Sequence, residues 1–169
     1  TQLSELLDDV SMVVLAVPVL AMESVMTTLA QALPNAADDV VITDVGSTKA
    51  TIRECAERVF GYVLPNIVLG HPIAGSEKSG VAAANPTLYV NHKVILTPEP
   101  NVDADALARV EKLWQACGAE VLQMSVERHD QVLARTSHLP HLLAFSLVDT
   151  LARQDERLDI FRYAAGGFR

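Results

Sequence analysis

The stretch Ile67–Gly80 reads I-V-L-G-H-P-I-A-G-S-E-K-S-G. Ile67, Val68 and Leu69 form a short apolar run, the pattern of a strand buried in a parallel sheet. Gly70, Gly75 and Gly80 permit backbone angles that other residues avoid, and Pro72 fixes one dihedral and removes a donor. The sequence therefore predicts a strand ending at Leu69 and a loop from Gly70 to Gly80. That puts the His71 imidazole at the carboxyl end of a strand, where open α/β sheets bind ligands. The competing reading is a tight loop whose histidine caps or packs locally.

Upstream, Ser11–Val17 (S-M-V-V-L-A-V) and Val40–Val45 (V-V-I-T-D-V) are further apolar, β-rich runs. Between them Leu20–Leu33 has helical spacing, with Met22, Val25, Met26 and Leu29 on one side and Pro34 and Asn35 at its end. A helix from Lys49 to Phe60 follows the second strand. The order β-α-β-α-β predicts right-handed crossovers and a parallel sheet. Ahead of the first strand, Leu3, Leu6 and Leu7 are placed to cover a core edge.

Downstream, K-V-I-L within Tyr89–Leu96 predicts another strand. Asp103 predicts the cap of a helix over Ala104–Ala116, with Leu107, Val110, Leu113 and Trp114 on its buried side. Gly118 is the expected stop, Glu120–Met124 a short strand, and Ser125 a partial cap. From Val126 to about Gln154 the chain reads as helix with no strand pattern. The predicted fold class is thus α/β: the later part of a Rossmann-like doubly wound sheet over residues 1–124, followed by the start of an all-helical domain over residues 125–169.

The 169 residues, half hydrophobic and a fifth charged, suit a globular protein with a real core. A net charge of −8 argues against nucleic acid as a partner, without excluding an anionic small molecule in a locally basic pocket. No run approaches the roughly 20 apolar residues of a membrane helix. Cys55 and Cys117 form no C-x-x-C pattern, which points to a reducing, cytoplasmic setting. No G-x-G-x-x-G occurs, and the helical segment is short for a core of its own. The chain is expected to be the central piece of something longer.

Four stretches can carry chemistry. In Asp44–Lys49 (D-V-G-S-T-K), Gly46 allows close backbone approach, Ser47 offers a hydroxyl at a helix start, and Lys49 is placed to neutralise an anion. A plain N-cap at Ser47 or Thr48 is the alternative there. The second stretch is the Gly70–Gly80 loop. In Thr136–His141 (T-S-H-L-P-H), Pro140 marks a kink or a fresh helix start, and His138 and His141 are spaced to share a face. In Ala164–Arg169, paired glycines suit backbone close to a ligand. His129, Asp130, His138 and His141 are candidate metal ligands, but no H-E-x-x-H or third ligand at a metal spacing occurs, and no metal is assigned. The G-x-S-x-G elbow of a hydrolase is absent too.

Taken together, D-V-G-S-T-K, G-H-P-I-A-G-S-E-K-S-G, H-D-Q-V-L-A-R-T-S-H-L-P-H and A-A-G-G-F-R closely resemble the prephenate/arogenate dehydrogenase family of tyrosine biosynthesis. The resemblance implies oxidative decarboxylation of prephenate, or of arogenate, with NAD as hydride acceptor and NADP as the alternative. It implies that His71 accepts the substrate hydroxyl's proton or hydrogen bond, a role that suits a neutral imidazole near pH 7. Ser47 would bond the same hydroxyl and, with Gly46, help seat the nicotinamide; the Val17–Pro18–Val19 turn would form a wall over it. Ser137, His138, His141 and Gly166 would face the substrate. The resemblance further implies a homodimer through the helical domain. The family's glycine-rich turn and the second arginine of its F-[RK]-D-x-T-R stretch are absent here. That absence predicts weak cofactor binding and slow turnover for these residues alone, and Arg169 is not given the missing arginine's carboxylate-holding role.

Two other classes compete with this resemblance. A β-hydroxyacid dehydrogenase would need a catalytic lysine on the helical side, and no lysine follows Lys112. A non-catalytic assembly piece would have no need of His71, His138 and His141 beside glycine turns.

Overall fold

The structure, a computed structural model, describes residues 7, 10–33, 40–75 and 80–153. It divides into two compact units, Thr1–Asp130 and Gln131–Arg169.

The first unit is built on a five-stranded sheet: β1 (Met12–Leu15), β2 (Val41–Asp44), β3 (Ile67–Ile73), β4 (Lys93–Thr97) and β5 (Glu120–Gln123), lying side by side in chain order. Helix α1 (Met22–Ala32) connects β1 to β2, α2 (Lys49–Phe60) connects β2 to β3, and α3 (Ala104–Ala116) connects β4 to β5. β1, β2 and β3 are parallel, with Leu15 beside Asp44 and Ile42 beside Ile67. β4 runs antiparallel to β3, and β5 parallel to β4.

Period-two alternation sends neighbouring residues to opposite faces of the sheet. Ile42, Ile67 and Leu69 pack with Met22, Met26, Leu29, Ile52 and Cys55 from α1 and α2. Val41, Val68, Val94 and Leu96 pack with Ala106, Val110 and Trp114 from α3. Helices thus cover both faces of the sheet, which is the doubly wound α/β architecture the sequence predicts. Leu7 joins the first cluster, as expected of it. Leu3, Leu6, Pro34 and Asn35 lie outside the described residues.

Several local readings hold residue for residue. α2 and α3 have the expected bounds; Asp103 accepts from the Ala106 N–H at 2.9 Å, and Gly118 adopts a φ of +82° after α3. Ser125 accepts from the Arg128 N–H at 3.2 Å, just before α4 (Val126–Leu133).

One expectation is corrected. β3 does not end at Leu69 but continues through His71 and Pro72 to Ile73. The cause is β4: its antiparallel ladder sets Gly70 beside Leu96, His71 beside Ile95 and Pro72 beside Val94. Pro72 is tolerated inside a strand because β2 pairs with β3 only as far as Val68. The Gly70 N–H already points to that side, towards Asp44, and Pro72, two residues on, would point its missing N–H the same way. The parallel order expected of the first three strands holds, and the antiparallel β4 makes the whole sheet mixed. The β3–β4 connection carries a 3₁₀ turn (Val81–Ala83) where a crossover helix would stand.

In the second unit, a π-helical turn over Ala134–His138 leads into α5 (Leu139–Ala152), with Pro140 in its first turn. Pro140 has no N–H to give the preceding turn, so the ladder widens there and restarts. This is the break the sequence predicts.

Candidate active site

Asp44 closes β2 and is buried, 1% exposed. A buried carboxylate must collect donors, and this one collects three. It accepts from the Gly46 N–H at 2.7 Å, the Gly70 N–H at 3.1 Å and the Lys49 ammonium at 2.5 Å. Lys49 is wholly buried and also donates to the Gly70 carbonyl. Burial pulls the Lys49 ammonium below the usual lysine value, and the charge and hydrogen bond of Asp44 oppose that. This corrects the expectation that Lys49 neutralises a bound anion. Its charge is already matched by Asp44, within the protein, because the first turn of α2 folds back over the end of β2.

The same lattice fixes the two glycines by space rather than by backbone angle. A Cβ on Gly70 would lie 3.0 Å from the Asp44 carbonyl oxygen, and one on Gly46 2.4 Å from Ile52 Cδ1. Among the glycines of the 70–80 stretch, positive φ is found at Gly80, +82°.

The Asp44 clamp holds the chain on either side of it. On one side Gly46 leads into Ser47, which is exposed. On the other, Gly70 leads into His71, partly buried on the extended end of β3. Val45 donates from its N–H to the Leu15 carbonyl at 3.3 Å, so the turn after β1, Val17–Val19, leaves the sheet at the same carboxyl edge. Pro18 is exposed in that turn, and Val17 and Val19 partly so. Val17, Pro18, Val19, Gly46, Ser47 and His71 thus share one edge of one sheet.

His71 is held from a direction the sequence reading missed. Its Nδ1 lies 2.8 Å from Nε2 of His129, which is wholly buried in α4. The other ring nitrogen of His129, Nδ1, lies 2.7 Å from Oδ1 of Asp130. The Asp130 carboxylate in turn accepts from the Lys49 and Ala50 N–H groups, each at 2.9 Å. These are the orphan donors of the first turn of α2. Thr48 occupies the N-cap position, but its side chain makes no cap bond. Neither Ser47 nor Thr48 is therefore the simple N-cap offered as an alternative; Asp130 supplies the cap. Burial alone would raise the Asp130 carboxyl, but the Lys49, Ala50 and His129 hydrogen bonds outweigh it and hold that carboxyl below the usual aspartate value.

His129 and Asp130, which the sequence offers only as metal ligands, bond to each other, and His129 in turn bonds to His71. Among the described residues no group of three or more His, Cys, Asp or Glu is arranged to hold a metal. Two signals could have found the missed residues. Asp44 is a charge at the end of a buried strand, five residues before a lysine, and H-D opens one of the quoted motifs.

The second unit presents Ser137 and His138, partly buried in the π turn, and His141, exposed in α5. His141 Nδ1 donates to the Ser137 carbonyl at 2.9 Å, which leaves the lone pair of a neutral ring on Nε2. Gly166 and Arg169 lie outside the described residues.

A family model described as "Prephenate dehydrogenase, nucleotide-binding domain" matches residues 1–123, and one described as "Prephenate dehydrogenase, dimerization domain" matches residues 125–169. The cyclohexadienyl dehydrogenase of Zymomonas mobilis is 40% identical over 165 residues, covering 95% of this chain and 54% of that protein. The prephenate dehydrogenase of Bacillus subtilis is 42% identical over 135 residues, covering 78% of this chain and 35% of that protein. The crystal structure of prephenate dehydrogenase from Aquifex aeolicus in complex with hydroxyphenyl propionate and NAD+ aligns with a TM-score of 0.85 at 38% identity, covering 99% of this chain and 57% of that one. The chain spans about half the length of these relatives or less.

Proposed function

The chain belongs to the prephenate dehydrogenase family, and on that premise we propose that its protein oxidatively decarboxylates prephenate, or its amino counterpart arogenate, in tyrosine biosynthesis. Residues 1–124 are read as the nucleotide-binding domain and residues 125–169 as the start of the helical domain. The observation that carries the reading is the Asp44 clamp, which ties the backbone beside Ser47 to the backbone beside His71.

The carboxyl ends of parallel strands are where open α/β sheets take dinucleotides, and the residues there suit one. Val17, Pro18 and Val19 offer an apolar wall, and Gly46 and Ser47 a tight turn with an exposed hydroxyl. When bound, a nicotinamide cofactor supplies a two-electron hydride acceptor. NAD is favoured over NADP because the Aquifex relative was solved with NAD+.

His71 and Ser47 act on the substrate hydroxyl. As the carbon that bears it is oxidised, C–O double-bond character develops and the proton is drawn towards His71. Ser47 holds the same oxygen in line. The ring carboxylate then leaves as carbon dioxide, its bonding electrons aromatise the ring, and the proton returns to the phenolic oxygen. Ser137, His138, His141 and Gly166 are assigned to the substrate from the helical side by family motif.

A homodimer is part of the same proposal. Leu142, Leu143 and Phe145 on α5 are 63%, 61% and 73% exposed, more apolar surface than a helix leaves to water without a partner. The protein is read as cytoplasmic, with Cys55 and Cys117 as free thiols. No helix among the described residues is long and apolar enough to cross a membrane.

The test is nicotinamide reduction by the full-length protein with prephenate and, in parallel, arogenate. His71→Asn should lower kcat by roughly 10²-fold or more with cofactor binding intact. Inertness of the wild type towards both substrates would overturn the reading.

A further inference from the structure

We propose that His129 and Asp130 are positioning residues that lock His71 in the Nδ1–H tautomer, so that its Nε2 carries the lone pair that meets the substrate hydroxyl. The inference rests on the function proposed above for His71, but the tautomer itself can be measured apart from that function.

The Asp130 carboxylate accepts the Lys49 and Ala50 N–H groups, so its position is set by the first turn of α2. An ionised carboxylate only accepts, so the His129 Nδ1 at 2.7 Å must be the donor. His129 is wholly buried, and a buried imidazolium is costly without a full counter-charge. Asp130 shares its charge with two backbone donors, which leaves less of it for His129. A neutral His129 with its proton on Nδ1 has only a lone pair on Nε2. The His71 Nδ1 at 2.8 Å must then supply the hydrogen. A neutral His71 with its proton on Nδ1 has its basic lone pair on Nε2. The two rings meet edge to face, with centroids 5.0 Å apart, so the contact also fixes the plane of the His71 ring.

The chain of bonds has a known physical consequence. A base in the wrong tautomer presents an N–H where a lone pair is needed, and the chemical step suffers while binding does not.

The experiment uses the full-length protein. Long-range proton–nitrogen correlation spectra of protein labelled with 15N-histidine, assigned by loss of the His71 signals in His71→Asn, should show His71 protonated at Nδ1. In His129→Met, which keeps bulk but removes the acceptor, the His71 signal should move towards the Nε2–H form. There kcat should fall roughly 10²-fold, with KM for both substrates nearly unchanged. His129→Gln, whose amide oxygen can accept from His71, should recover part of that loss. Circular dichroism and thermal melting establish that each variant folds.

A wild-type His71 protonated at Nε2 would overturn the proposal, whatever the variants do. So would equal losses in His129→Met and His129→Gln, or a rise in KM with kcat intact. An Nδ1–H His71 in a protein inert to prephenate and arogenate would leave the lock standing and overturn the function. Turnover of prephenate with His71 in the Nε2–H form would do the reverse.

Discussion

Asp44 and Lys49 both close on Gly70: the carboxylate takes its N–H and the ammonium donates to its carbonyl. One buried ion pair therefore joins the end of β2, the first turn of α2 and the residue before His71. Removing one partner strands the other's charge in the core. Asp44→Asn and Lys49→Met should each destabilise the full-length protein by about 3–5 kcal/mol. Denaturant unfolding of both variants and the double variant checks this. The double variant should lose less than the sum, because it leaves no stranded charge.

Gly70 has no room for a side chain. Gly70→Ala would press a methyl group against the Asp44 carbonyl oxygen and Leu96, and both are held by the sheet. The expected cost is about 1–3 kcal/mol in unfolding free energy. Because His71 is the next residue, kcat should fall further than the stability loss alone explains. Unfolding and steady-state kinetics on the same preparation separate the two effects.

Asp130 gives the fold an acid limit. Its carboxyl is held below the usual aspartate value, so the folded state binds its proton less readily than the unfolded chain does. The stability it contributes is present above the unfolded aspartate value, about 3.9, and is lost as pH falls through the lower folded value. Asp130→Asn should therefore unfold at a lower denaturant concentration than wild type at pH 7, and the gap should narrow below about pH 4. A gap of the same size at both pH values would contradict it.

Ser47 is exposed, so its loss should leave the core untouched. Ser47→Ala should stay within about 0.5 kcal/mol of wild type in unfolding free energy. Its kcat with prephenate should nevertheless drop, by roughly 10-fold for one lost hydrogen bond of about 1.4 kcal/mol. An Ala variant as active as wild type would remove Ser47 from the site.

Much of the fold was legible one segment at a time. The bounds of α3 follow from helical spacing between the Asp103 cap and the Gly118 stop, which the structure places at φ +82°. The π turn before α5 follows from Pro140. The end of β3 was not legible, since G-H-P-I reads as loop until β4 pairs with it. The cap of α2 was not legible either, since Thr48 stands in the N-cap position while the capping carboxylate comes from Asp130, 81 residues beyond Lys49.

The α/β class, most of the elements, the family resemblance, and His71 and Ser47 as candidates are all readable from the residues in order. These depend on periodicity, capping and glycine or proline placement, which neighbouring residues express locally. The pairing of Lys49 with Asp44, the ladder that carries His71 within β3, and the placing of His129 and Asp130 behind that ring arise from long-range packing. A buried charge or an imidazole nitrogen takes whichever partner packing brings within hydrogen-bond reach, and that partner can come from anywhere in the chain.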